Sequence, residues 1–244
     1  MSQQVSQIIA DVRKEIDEIG VNTAGFAIGS DNEDLNTIIR HQLAEALRFC
    51  YANADVSLIA PDVSTLIAET DFVPVGSGSG QIPMRNLPTG VNIYVGKKEL
   101  ANTFMRLCYA RSSSWVRDVT KPILWTEKEA ARLSDWLTTG TPERPAVYID
   151  RHGASGALVA YLYTINQGDT AQFAVINSPS YTVLSSESVN IDSRIYGAVV
   201  TYCAGLTLLT LKDEHADSLI NLALNKMGVK TNVSFTCTPL IQSA

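Results

Sequence analysis

The chain has 244 residues, of which 45% are hydrophobic and 18% charged, enough apolar material for a sizeable core and too much for a disordered protein. Its 25 acidic residues outweigh 19 basic ones for a net charge of −6, whereas a protein that grips DNA through its phosphates is usually basic. That balance still suits a surface past which DNA slides, where like charge prevents adhesion and identical subunits multiply the field. Uninterrupted apolar runs of about 18 residues are absent, so no membrane span is expected. The opening Met1-Ser-Gln-Gln-Val-Ser6 lacks the basic and apolar blocks of a secretory leader, which suggests a soluble protein.

A first helix is predicted over 2–19, with Val5, Ile8, Ile9, Val12, Ile16 and Ile19 on one face and Asp11, Arg13, Lys14, Asp17 and Glu18 on the other. Gly20 ends it. After the loop Val21–Gly29, Ser30 and Glu33 form a capping box, and Leu35, Ile38, Ile39, Leu43, Ala46, Leu47 and Cys50 make a stripe to about Ala54. Two such helices on a short loop are expected to pair antiparallel.

Beyond Pro61 the pattern turns to short β-prone pieces. Gly76-Ser-Gly-Ser-Gly80 reads as a flexible loop or hairpin tip, within a loop over 71–90. Strands are predicted at Phe104–Ala110 and Trp115–Val119. A helix opens at Thr126-x-x-Glu129, a second capping box, and runs to about Leu137. Pro145–Asp150, Ala157–Ile165 and Gln172–Ile176 then read as three strands of an antiparallel meander, broken by turn formers at 151–156 and 166–169.

Helix returns near Asp192, with Ile195, Val199, Tyr202, Cys203, Leu206 and Leu209 as its buried side. Lys212-Asp213 interrupts it. A last helix carries Ala216, Leu219, Ile220, Ala223 and Met227 inward, and Gly228 stands where a left-handed terminator belongs. The plan is α+β: an antiparallel four-helix bundle from the N- and C-terminal helix pairs, with a β-rich middle insertion. Its divisions are 1–68 (first helices), 69–190 (β-rich insertion with one helix), 191–228 (closing helices) and 229–244 (extended tail).

The residues offer little chemistry. His41, His152 and His215 are scattered, without the spacing of a zinc site. Gly76-Ser-Gly-Ser-Gly80 does not fit G-x-S-x-G, and no Gly-Lys-Ser/Thr follows it to make a phosphate loop. Asp31, Glu33 and Asp34 suit a helix N-terminus. Arg106, Arg111, Arg117 and Arg144 could serve intersubunit salt bridges or a solvated strand face, and Trp115, Trp125 and Trp136 are core or interface anchors. Cys50, Cys108, Cys203 and Cys237 are widely spaced and read as free thiols of a reducing compartment. No catalytic, metal-ligating or cofactor-binding residue is expected. A small-molecule-binding or hydrolytic enzyme would need a polar cluster in the β-rich middle, around Asp150 and His152.

The order of elements resembles the adaptor and ring proteins of the head-to-tail connector of tailed phages, closest to the short-tailed and crAss-like groups. The residues that carry it are Val5–Val12 through Asp34–Ala46 in the helices, then Phe104–Arg111 and Trp115–Val119. Gly140-Thr-Pro-Glu-Arg-Pro145, Leu158–Tyr163 with Asp169-Thr170, and the closing helices Ile195–Leu211 and Glu214–Met227 complete the set. At Val95-Gly-Lys-Lys-Glu-Leu100 the chain departs from that pattern, which has a Leu-Pro dipeptide before the strand. The resemblance implies a non-enzymatic virion subunit in the neck, assembled in the host cytoplasm. It would form a homo-oligomeric ring, a dodecamer, below the portal protein, in contact with portal and neighbouring ring or tail proteins. DNA would pass through its channel without specific binding, and the loop 71–90 and tail 229–244 would order on neighbours. Another tail hub or head-completion protein shares the same composition.

Overall fold

The computed structural model describes residues 2–18, 35–66, 71–76, 81–90, 93–152, 156–166, 168–183 and 185–229. In chain order the elements are β1 (Ser2–Gln4), α1 (Val5–Glu18), α2 (Leu35–Asn53), β2 (Asp62–Leu66), β3 (Phe72–Pro74), β4 (Tyr94–Glu99) and β5 (Phe104–Ser112). There follow β6 (Ile123–Leu124), β7 (Val147–His152), β8 (Ala157–Ile165), β9 (Ala171–Asn177), β10 (Ser188–Asn190), α3 (Tyr196–Thr210) and α4 (Ala216–Lys226). They form two compact units, one from Met1–Ile59 with Pro179–Ala244, the other from Ala60–Ser178.

The first unit is built around α3. This helix has no charged side chain, and its residues from Ala198 to Gly205, with Thr207 and Leu208, are buried. A helix apolar on all sides belongs at the centre of its neighbours, and α1, α2 and α4 all pack against it. The apolar stripe of α1 faces inward as its spacing requires, with Val5, Ile8, Val12 and Ile16 fully buried. On α2 the inward set is Leu35, Ile39, Leu43, Ala46, Leu47 and Cys50.

This arrangement corrects the expected four-helix bundle. The helices are not N- and C-terminal pairs packed around a common axis. α1 and α2 meet only along a short stretch and are held instead by α3. The reason is composition: a two-faced α3 could have closed a bundle, but one buried all round takes the central place. Leu209, assigned to the buried side, is 53% exposed. α4 ends as expected: Gly228 takes φ +73°, its N–H donates to the Asn225 carbonyl, and the Val229 N–H donates to that of Leu224. Those two bonds satisfy carbonyls the helix would otherwise leave open.

The second unit holds a three-stranded sheet, β2-β9-β5, and a five-stranded sheet, β3-β4-β8-β7-β6. Along β8, Ala160 and Leu162 enter one core while Tyr161 and Tyr163 enter another, the alternation a pleated strand imposes, and Ile165, beyond a register shift against β4, joins the first core. The first core lies between the two sheets and is filled by Leu66, Leu107, Val147, Ile149, Phe173 and Val175. The second covers the other face of the larger sheet with Val75, Ile82, Met84, Leu87, Leu133 and Trp136.

Several local expectations change. The three predicted strands are not one meander: β7 and β8 pair antiparallel, but β9 leaves them for β2 and β5. β6 pairs with β7 in parallel. Trp115–Val119 is not a strand; Val119 makes a single bridge to Ala110 while Trp115 fills the first core. The helix at Thr126–Leu137 is a 3₁₀ segment, Lys128–Ser134, preceded by Glu127 without a side-chain cap bond. Residues 60–68 precede the expected insertion, yet β2 draws 62–66 into the second unit by pairing with β9. Residues 179–190 return to the first unit because β10 pairs with β1, which itself takes the first residues predicted helical. The capping box Ser30/Glu33, the acids Asp31 and Asp34, the tip 77–80 and the tail beyond Val229 lie outside the described residues.

A candidate binding cleft between two helices

The residues singled out by sequence are dispersed. His41 is exposed on α2, and His215 stands at the start of α4 without capping it, its Nδ1 2.9 Å from Asp213 Oδ1. His152 closes β7 and its side chain lies outside the description. Arg111 pairs with Asp118 at 2.6 Å and lies over the Tyr109 ring, so its partner is in its own chain. Arg117 and Arg144 are exposed on loops. Trp115 is core, Trp136 packs on the second core, and Trp125 is 40% exposed with Arg151 over its ring. Cys50, Cys108 and Cys203 are buried free thiols; Cys237 lies outside the description. No group of three or more histidine, cysteine or acidic side chains that could hold a metal ion occurs among the described residues.

Asp150 sits among tyrosines. On β7 and β8 the cross-strand pair Tyr148 and Tyr161 stacks with ring centroids 6.2 Å apart. Burial, followed by the nearby Asp150 carboxylate, holds both hydroxyls above the ordinary tyrosine range. Phenols kept neutral in this way pack and hydrogen-bond. They are not activated as bases or nucleophiles, which would need the opposite shift.

The distinctive concavity is in the first unit. Because α1 and α2 each rest on α3 and scarcely touch one another, an open cleft of about 530 Å³ remains between them. α1 contributes Ser6, Ile9, Ala10 and Arg13, spaced so that all face one side of the helix; α2 contributes Asn36, Thr37 and Arg40. Ile9, 8% exposed, supplies an apolar surface. Arg40 is steadied from the segment before β10: its Nη1 donates to the Ser186 carbonyl at 3.4 Å, and Tyr181 Oη donates to the Arg40 carbonyl.

Two polar atoms of the lining residues are buried without a hydrogen-bond partner among the described residues, the donor Arg13 Nε and the acceptor Asn36 Oδ1. A desolvated group left unpaired costs about 1–3 kcal/mol, and both atoms are closed to a water-sized molecule as the helices stand. Sequence reading placed Arg13 on the solvated face of its helix and gave Asn36 and Arg40 no role. The available signal was position alone: Arg13 follows Ile9 by four residues, at the margin of the apolar stripe, and Arg40 follows Asn36 by four. No protein-family model matches the chain, and no curated protein matches it.

Proposed function

We propose that this chain is a non-enzymatic structural subunit of a tailed-phage virion, closing into a dodecameric ring in the neck below the portal protein. The observation that carries the reading is the order of its elements. A helical unit is interrupted by a β-rich excursion, Ala60–Ser178, and resumes with α3 and α4, the succession on which the resemblance to connector ring proteins rests. The residues quoted for that resemblance fall in both units. Val116 and Leu137, 74% and 76% exposed, are apolar side chains that a neighbouring subunit would cover with gain. A net charge of −6 per copy suits a channel wall that lets DNA pass without holding it.

Antibody–gold labelling of purified phage particles that carry the gene tests this directly. Label at the junction of head and tail, with the chain present among the particle proteins, is the expected result. Its absence from particles, or label spread over the capsid, overturns the reading.

A further inference from the structure

We infer that residues 232–238 of the chain's own tail add a third strand to the ribbon of β1 and β10, pairing with the free edge of β10. This pairing is independent of ring formation. The register of the ribbon identifies the free edge. The Val5 N–H donates to the Glu187 carbonyl at 2.8 Å, and the ladder continues with Gln3 opposite Val189. Bonded pairs alternate along antiparallel strands, so Gln3 and Val189 exchange bonds while Ser188 and Asn190 direct their N–H and C=O groups away from β1. Both residues are exposed, and no further bond to either backbone occurs among the described residues. Two strands alone are marginal in water, and an open edge invites a third.

The occupant follows from the sequence of the tail and from where it begins. Asn232-Val-Ser-Phe-Thr-Cys-Thr238 alternates polar and apolar residues throughout and stops at Pro239, the pattern of a strand with one face buried. β10 has the same pattern, with exposed Ser188 and Asn190 on either side of Val189, which is 2% exposed. Set beside it, Val233, Phe235 and Cys237 extend the Val189 face. The tail also starts next to the residues that follow β10. The Met227 carbonyl accepts from the Asp55 N–H at 2.9 Å, Asp55 Oδ1 accepts from the Ser57 N–H, and the Ser57 carbonyl accepts from Arg194 Nη1 at 2.6 Å. Arg194 and its ion-pair partner Asp192 stand four and two residues beyond Asn190. All of these belong to the first unit. Residues 229–231 reach about 10 Å when extended, and a tail entering from that side runs antiparallel to β10. So short a tether favours the chain's own edge over that of a second copy.

Amide hydrogen exchange of the full chain, resolved by NMR, tests the pairing. Exchange slowed about tenfold or more at Ser188, at Asn190 and at alternate residues of 232–238 is expected. Ser234→Pro with Phe235→Pro removes two adjacent N–H groups, one of which faces β10 whatever the register. That double variant is expected to release Ser188 and Asn190 together with the tail. Thermal unfolding reports whether it keeps its fold, and the wild-type pattern decides alone if it does not. Free exchange throughout 232–238, or at Ser188 and Asn190, overturns the inference. A variant in which Ser188 and Asn190 stay protected places the tail elsewhere and overturns it too. Labelled wild-type chain refolded with an equal amount of unlabelled variant is expected to keep full protection at Ser188 and Asn190. Loss of about half of it, as random exchange of tails between copies implies, would make the occupant the tail of a second copy, against the pairing inferred here.

Discussion

Gly205 on α3 and Ile220 on α4 approach so closely that a β-carbon at 205 would lie 2.8 Å from Ile220 Cγ1 and 3.1 Å from its backbone nitrogen. The contact is what lets α4 lie tight against the central helix, and it leaves no room for a methyl group. Gly205→Ala is expected to destabilise the chain by about 1–2 kcal/mol, overpacking outweighing the roughly 1 kcal/mol gained in helix propensity. Gly197, in the first turn of the same helix, has nothing within 4 Å of its would-be β-carbon. Gly197→Ala should therefore stabilise by about 0.5 kcal/mol. Urea unfolding of the two variants checks the opposite signs.

Thr201 joins three helices. Its hydroxyl donates to Glu15 Oε1 on α1 at 3.0 Å and accepts from Lys226 Nζ on α4 at 2.6 Å, while Thr201 itself is fully buried. Thr201→Val keeps the shape and removes both bonds. It is expected to cost about 1–2 kcal/mol, since Lys226 and Glu15 keep their 3.3 Å contact and part of their hydration. A double-mutant cycle with Lys226→Met should give a coupling term distinguishable from zero.

Stability should fall on the alkaline side. Burial pushes the Cys203 thiol up to about 12, a hydrogen bond with Thr207 pulling the other way, and burial with the neighbouring Cys203 raises Cys50 further. A thiol whose folded pKa is raised contributes stability fully present below its unfolded value, near pH 9, and lost as pH climbs toward the folded value. Each such group accounts for up to about 1.4 kcal/mol per pH unit in that window. Unfolding under reducing conditions at pH 8 and pH 10 should show the drop, with a shallower slope in Cys203→Ala. Equal stability at the two values would contradict the burial of these thiols.

Phe173 on β9 is 1% exposed between the two sheets of the second unit. Phe173→Ala should cost about 3–5 kcal/mol, and thermal or urea unfolding measures it.

How much of this was legible in the sequence follows the range of each interaction. The inward face of α1 and the Gly228 terminator are set within a few residues, and period and backbone freedom reveal them. The central place of α3 is written in composition, as no charge occurs from Tyr196 to Thr210, whereas helical periodicity implies a single buried face and so misplaces Leu209. Local capping chemistry at Thr126 and Glu129 proposed an α-helix; the chain instead makes a 3₁₀ segment whose Leu133 packs on the second core. Strand partners could not be read at all. β9 joins β2 and β5 across long stretches of chain, and alternation fixes which face is buried, not which strand lies beside it. The cleft was hidden for a similar reason: Arg13 and Asn36 line it because α1 and α2 part over α3, and no local pattern encodes that separation.

The proposed closure of identical copies into a ring is tested most directly by the mass and shape of the purified protein. Light scattering followed by negative-stain imaging should reveal closed rings with a central hole, alone or with portal protein added. A strict monomer, alone and mixed with portal and tail proteins, would contradict it.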